Sequence, residues 1–216
     1  MIRTLDKPSL ERLAKQLARR DERLGLAWEI GGPPKLWKRT PNFATFVRII
    51  LEQQVSLASA WSTFNRLRSE VTRVTPSTVA PLEEAGLREL GFSRQKARYA
   101  HTLAKDCLSR RFVIGRLSKM EDDAVREAVT SRLGLGDWSA EVFLLLALGR
   151  HDVLPLGDYA LVKGWSELCG DETFDLGTAK ADLLAAAEAW RPHRSVATRM
   201  VWAYYLNRRG TSLPGA

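Results

Sequence analysis

Residues 133–165 read LGLGDWSAEVFLLLALGRHDVLPLGDYALVKGW, and the fold turns on how this stretch is parsed. Upstream, Glu121 to Arg132 has the pattern of an amphipathic helix. Downstream, Gly136 or Asp137 opens an apolar helix that is expected to run to about Gly149, with no charge between Glu141 and Arg150. The two helices are joined by Leu133-Gly134-Leu135-Gly136, so residues of about 121–149 form a helical hairpin. Glycines let a backbone turn sharply and approach another molecule closely. The second helix then presents unpaired N–H groups and a positive dipole end, which bind phosphate without a basic side chain. A plain helical hairpin with a glycine turn has the same local sequence. A loop of about 150–159 follows and carries Asp158 ahead of Tyr159. That carboxylate reads equally as the cap of the next helix and as a reactive group.

Helical periodicity extends along the rest of the chain. NFATFVRIILEQQVSLASAWSTFNRL, from Asn42, places Phe43, Phe46, Val47, Ile50, Leu51, Val55, Leu57 and Trp61 at spacings of three and four. Thr75 before Pro76 and Ser93 before RQKARYAHTLAKDCL are expected N-caps. Asp175 or Thr178 opens the alanine-rich AKADLLAAAEAW, and a last helix is expected from Pro192. No alternating β-branched run and no Asn-Gly or Asp-Gly hairpin signal occurs, so the expected class is all-α. GGPPKLW (Gly31 to Trp37) separates an N-terminal helical segment from the helix at Asn42, and the terminal GTSLPGA is expected to fray. A chain of 216 residues suffices for one large domain or two small lobes.

The formal net charge is +8, from 33 basic and 25 acidic residues, which suits a polyanionic partner. Between Arg94 and Arg116 lie seven basic residues (Arg94, Lys96, Arg98, Lys105, Arg110, Arg111, Arg116) against one acid, Asp106. Between Arg191 and Arg209 lie five arginines and no acid. Such stretches fit either a face that tracks phosphates or solvated helix surfaces. No apolar run approaches the roughly 20 residues of a membrane helix, and MIRTLDKPSL has no secretory apolar core. Cys107 and Cys169 are isolated, with no metal spacing or disulfide framework, which fits a reducing cytoplasm.

The block Gly-Leu-Gly-Asp-Trp-Ser-Ala-Glu (134–141), an apolar helix and a loop aspartate together resemble the signature of the helix-hairpin-helix DNA glycosylase superfamily. Three further segments agree in family order: LEQQVS (51–56), GFSRQKARYAHTLA (91–104) and WRPHRSVATRMVW (190–202). The last is similar to the 3-methyladenine DNA glycosylase II branch. The resemblance implies one glycosylase domain over 1–216, a compact form without the extra N-terminal α/β lobe of larger members. It further implies two helical lobes with the active-site cleft between them. The implied function is hydrolysis of the N-glycosidic bond of alkylated bases in double-stranded DNA by base flipping, which starts base excision repair, and the implied state is a monomer.

The same resemblance assigns roles to residues. Asp158 would be the catalytic carboxylate. Trp138, Tyr159 and Trp202 would line the base pocket, where each aromatic face attracts a cationic alkylpurine by about 0.5–2 kcal/mol; as isolated residues they read as core. Gln54, with Gln53 beside it, would be the wedge that fills the gap left by the flipped base, where a simple helix end is the alternative. Gly134 and Gly136 N–H groups and the Ser139 hydroxyl would hold phosphate. Lys96, Lys163 and Arg194 are candidate phosphate contacts or solvated cations. The Gly134 carbonyl is a candidate ligand for a structural monovalent cation, with no cofactor required. Trp138 stands where bifunctional members carry a catalytic lysine, so no Schiff base and no strand cleavage are expected. Two cysteines fall short of the four that hold an iron–sulfur cluster. Val142 departs from a pocket tyrosine of the family. Trp28, Trp37 and Trp61 are assigned to the core. Two alternatives stand beside this reading: a sibling glycosylase for deaminated or oxidised bases, and a non-catalytic DNA-binding module.

Overall fold

The computed structural model describes residues 4–211. The tail expected to fray falls mostly beyond them. In chain order the helices are α1 (Lys7–Arg20), α2 (Glu22–Gly31), α3 (Phe43–Glu52), α4 (Leu57–Glu70), α5 (Pro76–Val79), α6 (Glu83–Glu89), α7 (Arg94–Leu108), α8 (Ile114–Leu117), α9 (Asp122–Thr130), α10 (Asp137–Val142), α11 (Tyr159–Leu168), α12 (Leu176–Ala187) and α13 (Arg194–Arg208). Among the described residues there is no strand; an isolated antiparallel bridge pairs Thr4 with Arg150. The all-α expectation holds.

Short polar side chains set the helix starts, as the sequence predicts. Thr75 accepts the Thr78 N–H at 3.3 Å, Ser93 the Lys96 N–H at 3.3 Å, and Asp175 the Thr178 N–H at 2.8 Å. Each satisfies one of the orphan donors of a first turn. Asn42 caps α3 and Ser56 caps α4, so the long apolar stretch from Asn42 breaks at Gln53–Ser56 into two helices.

The chain divides into two compact units, one built from residues 4–38 and 144–211, the other from 39–143. In the first, α13 packs against α2, α11 and α1. Its residues Ser195 to Tyr204 are all buried, so this helix is covered on every side. Trp165 and Trp190 meet edge to face at 5.1 Å, and the Trp190 indole N–H donates to Asp21 at 2.8 Å. In the second unit, α7 gathers α3, α5 and α6, while α9 and α10 form the hairpin. Phe46 stacks on Phe143 at 4.3 Å and meets Phe112 edge-on at 5.4 Å.

The expected unbroken helix from 137 to about 149 is corrected. α10 ends at Val142, and residues Phe143–Ala147 form a π-helical turn. Two acceptors of that turn serve partners outside its register: Leu145 O takes the Arg199 guanidinium at 2.7 Å, and Leu144 O takes the Arg150 N–H at 3.0 Å. The apolar run encodes helix formation but not these long-range donors. The last helix begins at Arg194, two residues after the expected Pro192, with His193 at its N-cap.

Candidate active site

In the first unit the chemistry gathers at the N-terminus of α11. Asp158 is its N-cap: Oδ1 accepts the Leu161 N–H at 2.8 Å. The same oxygen accepts the indole N–H of Trp202, from α13, at 2.9 Å. The Asp158 N–H donates to Pro155 O at 2.8 Å, closing the turn that delivers the residue. Asp158 is therefore a cap, and it is also gripped by an aromatic 44 residues away. Two donors on one oxygen fix the carboxylate plane. Trp202 is buried, and Trp37 meets its ring edge-on at 6.2 Å. Trp37, expected in the core, is buried and also touches Trp202, which its place in a Gly-Pro loop does not signal. Tyr159 does not join this pair. It is 57% exposed and sits edge-on to Phe174 at 5.9 Å.

In the second unit the hairpin turns through Gly134 at φ +80°, in the left-handed region that suits glycine. A Cβ there would lie 2.1 Å from the Tyr99 ring. Gly136 is the N-cap of α10 with ordinary φ, and a Cβ on it would meet nothing within 4 Å. Its glycine is thus not required by internal packing. The Gln53 side chain turns onto the hairpin, donating to Gly134 O at 2.8 Å and to Ser139 Oγ at 3.3 Å. Lys96 Nζ donates to Leu51 O at 2.7 Å and Gln53 O at 2.8 Å, capping the end of α3. Burial pushes that ammonium below the ordinary lysine range. Gln53 is thus an internal tie between α7, the 53–56 turn and the hairpin. Beside it, Gln54 is exposed and held at φ +55°, a conformation that a bulky side chain rarely adopts. Gln53→Ala is expected to cost about 1–2 kcal/mol in urea denaturation by leaving Gly134 O without its donor. Gln54→Ala should change stability by less than about 0.5 kcal/mol.

Several expected phosphate contacts are committed inside the protein. Ser139 is buried and its hydroxyl faces Gln53. Arg194 holds Asp152 in a two-pronged pair at 2.8 and 2.9 Å, and these bonds draw the Asp152 carboxyl below its ordinary range despite its burial. Lys163 lies over the Phe174 ring at 4.4 Å and 4.0 Å from Glu167. The C-terminal arginine run is internally paired as well: Arg191 with Glu188 and Asp152, Arg209 with Glu167, and Arg199 buried. In the other stretch Arg94, Arg98, Lys105, Arg110 and Arg116 are exposed, and Arg111 pairs with Asp106 at 3.1 Å. The Gly134 carbonyl, the candidate cation ligand, already accepts Gln53. Trp138 is partly exposed on the first turn of α10, and Val142 is buried. Trp28 and Trp61 are partly exposed, contrary to their core assignment; Trp61 stacks under Arg48 at 4.9 Å. Among the described residues no cluster of His, Cys, Asp and Glu could hold a metal ion. No described helix is long and apolar enough to cross a membrane.

The second unit thus carries a glycine-turned helical hairpin, and the first a capped loop aspartate held by an indole. The family model described as HhH-GPD superfamily base excision DNA repair protein matches residues 47–191. The chain belongs to that family. The solved structure of a DNA-3-methyladenine glycosidase from Bacillus halodurans is 31% identical, with a TM-score of 0.73, and the match covers 89% of this chain and 88% of that one. The 3-methyladenine DNA glycosylase of Schizosaccharomyces pombe, solved in complex with abasic DNA, has a TM-score of 0.76 at 22% identity, covering 88% of this chain and 95% of that one. At that identity the likeness is one of fold. The YfjP protein of Bacillus subtilis is 26% identical over 72% of this chain, and the match spans 56% of YfjP.

Proposed function

We propose that this protein is a monofunctional DNA glycosylase that hydrolyses the N-glycosidic bond of alkylated bases, 3-methyladenine and related purines, in double-stranded DNA. The observation that carries the reading is the Asp158 carboxylate at the start of α11, oriented by the Trp202 indole. Breaking the glycosidic bond builds positive charge on the sugar. A fixed carboxylate stabilises that charge and orients a water for attack. An alkylated purine is a cationic leaving group, so no strong general acid is needed. A pure DNA-binding module would need neither the aspartate nor its indole partner. The names of the relatives favour alkylated over deaminated or oxidised bases.

The target base must leave the duplex to be cut, at a cost of a few kcal/mol. Gln54, pushed outward by its backbone, is the side chain suited to fill the vacancy, and its amide can pair with the orphaned base. Of the candidate pocket aromatics, Trp202 lies against the Asp158 carboxylate and suits a cationic base. The free face of Gly136 and the start of α10 suit a phosphate. With tryptophan at position 138, no amine is supplied there for a Schiff base. Both units serve one domain, acting as a monomer.

The test is incubation of the purified protein with a methylated duplex. Free 3-methyladenine should appear and abasic sites accumulate. Strands should break only after alkali, and borohydride should trap no covalent adduct. Strand nicking with a trapped adduct would overturn the monofunctional reading. Absence of base release would overturn the enzyme reading.

A further inference from the structure

Arg199 is a fully buried cation without an assigned role. It lies on α13 at 1% exposure, and its partners are three backbone carbonyls: Leu36 O at 3.1 Å, Ser195 O at 3.0 Å and Leu145 O at 2.7 Å. Burial pushes its guanidinium down to about 9, so it is still a cation at neutral pH. A buried cation without a carboxylate partner is costly, and a well-packed apolar side chain of similar size serves packing more cheaply. What an arginine adds is a rigid fork that can join three separate acceptors.

Those acceptors have one thing in common. Ser195 lies one turn back on α13, Leu145 lies in the π turn, and Leu36 closes the Gly-Pro loop one residue before Trp37. Trp37 has φ +45°, strained for an aromatic residue, so something must hold it there. Its ring then meets Trp202 edge-on, and the Trp202 indole N–H holds Asp158. The contacts run in sequence from Arg199 through Leu36, Trp37 and Trp202 to the carboxylate.

We propose that Arg199 and Trp37 are positioning residues: Arg199 clamps the loop at Leu36, Trp37 buttresses Trp202, and together they fix the indole that orients Asp158. The role in turnover rests on the glycosylase reading above, whereas the clamp itself does not. In Arg199→Met the loop loses its anchor; in Trp37→Ala the anchor stays and the buttress is lost. Both should lower kcat for base release from methylated duplex by about 10- to 100-fold, the cost of a small misplacement of a reacting group. KM should stay within about twofold, because both side chains are buried. Trp37→Phe should restore most of the rate lost in Trp37→Ala.

The clamp is read separately by the Trp202 indole proton in 15N-tryptophan spectra, assigned by its loss in Trp202→Phe. Its solvent exchange should accelerate at least about tenfold in both variants, which tracks local opening. An indole proton as protected as in the wild type in both variants overturns the clamp. Faster exchange with an unchanged kcat overturns the positioning role. If the wild type releases no base, the glycosylase reading fails and the exchange rates still decide the clamp. If Arg199→Met does not fold, Arg199→Lys, which keeps the cation but loses the fork, decides the clamp, and Trp37→Ala decides the buttress.

Discussion

Asp158→Asn is expected to lower single-turnover base release by on the order of 1,000-fold while leaving the fold and the duplex affinity intact. The contrast rests on what the amide keeps. Asn is as good an N-cap as Asp, and its Oδ1 can accept both the Leu161 and the Trp202 N–H groups that Asp158 accepts now. The stability cost is then the charge–dipole part alone, about 0.3–1 kcal/mol. What disappears is the negative charge facing a developing oxocarbenium ion. DNA affinity should hold or rise slightly, since one repulsion with phosphate is removed. Asp158→Ala should be equally inactive but also unstable, by about 2–3 kcal/mol, because it removes the cap and strands the buried Trp202 donor. Thermal unfolding and base release measured on both variants separate the structural role from the chemical one. An Asn variant with full activity would remove Asp158 from the mechanism.

The two roles of Asp158 also show what could be read from the chain alone. Caps are local: Thr75, Ser93 and Asp175 bond a backbone N–H three residues on, so their sequence context suffices. The hairpin is local too, because two glycines flanked by helical periodicity leave few alternatives. The resemblance supplied Asp158 and Trp202, and the structure joins them by a hydrogen bond that no spacing rule encodes. Where partners are distant, the sequence does not signal them. Gln53, a candidate wedge beside Gln54, donates its amide N–H to Gly134 O, 81 residues away. Arg194, a phosphate candidate, is paired with Asp152 from the loop before α11, 42 residues earlier. In the π turn, Leu145 O accepts from an arginine 54 residues further along the chain. Trp37 was core by composition and is core by burial; its contact with Trp202 is a property of the folded loop.

Gly134→Ala is expected to destabilise the second unit by about 3 kcal/mol or more and to weaken duplex binding at least tenfold. Two costs add. An L-residue at φ +80° costs roughly 1–2 kcal/mol. The new methyl would also lie 2.1 Å from the Tyr99 ring, and overpacking of this kind costs about 1–3 kcal/mol. If the turn relieves the clash by moving away from Tyr99, the Gln53 bond to Gly134 O is lost as well. Gly136→Ala is the informative partner. Its φ of −100° suits alanine, and its Cβ would meet no protein atom within 4 Å, so urea denaturation should change by less than about 0.5 kcal/mol. Its methyl would nevertheless stand in the path of the proposed phosphate contact at the first turn of α10, and duplex affinity should fall about tenfold without loss of stability. The two variants thus lose binding for different reasons, one through the fold and one through the surface. A Gly136→Ala protein that binds duplex DNA as tightly as the wild type would show that the hairpin does not grip phosphate through this face.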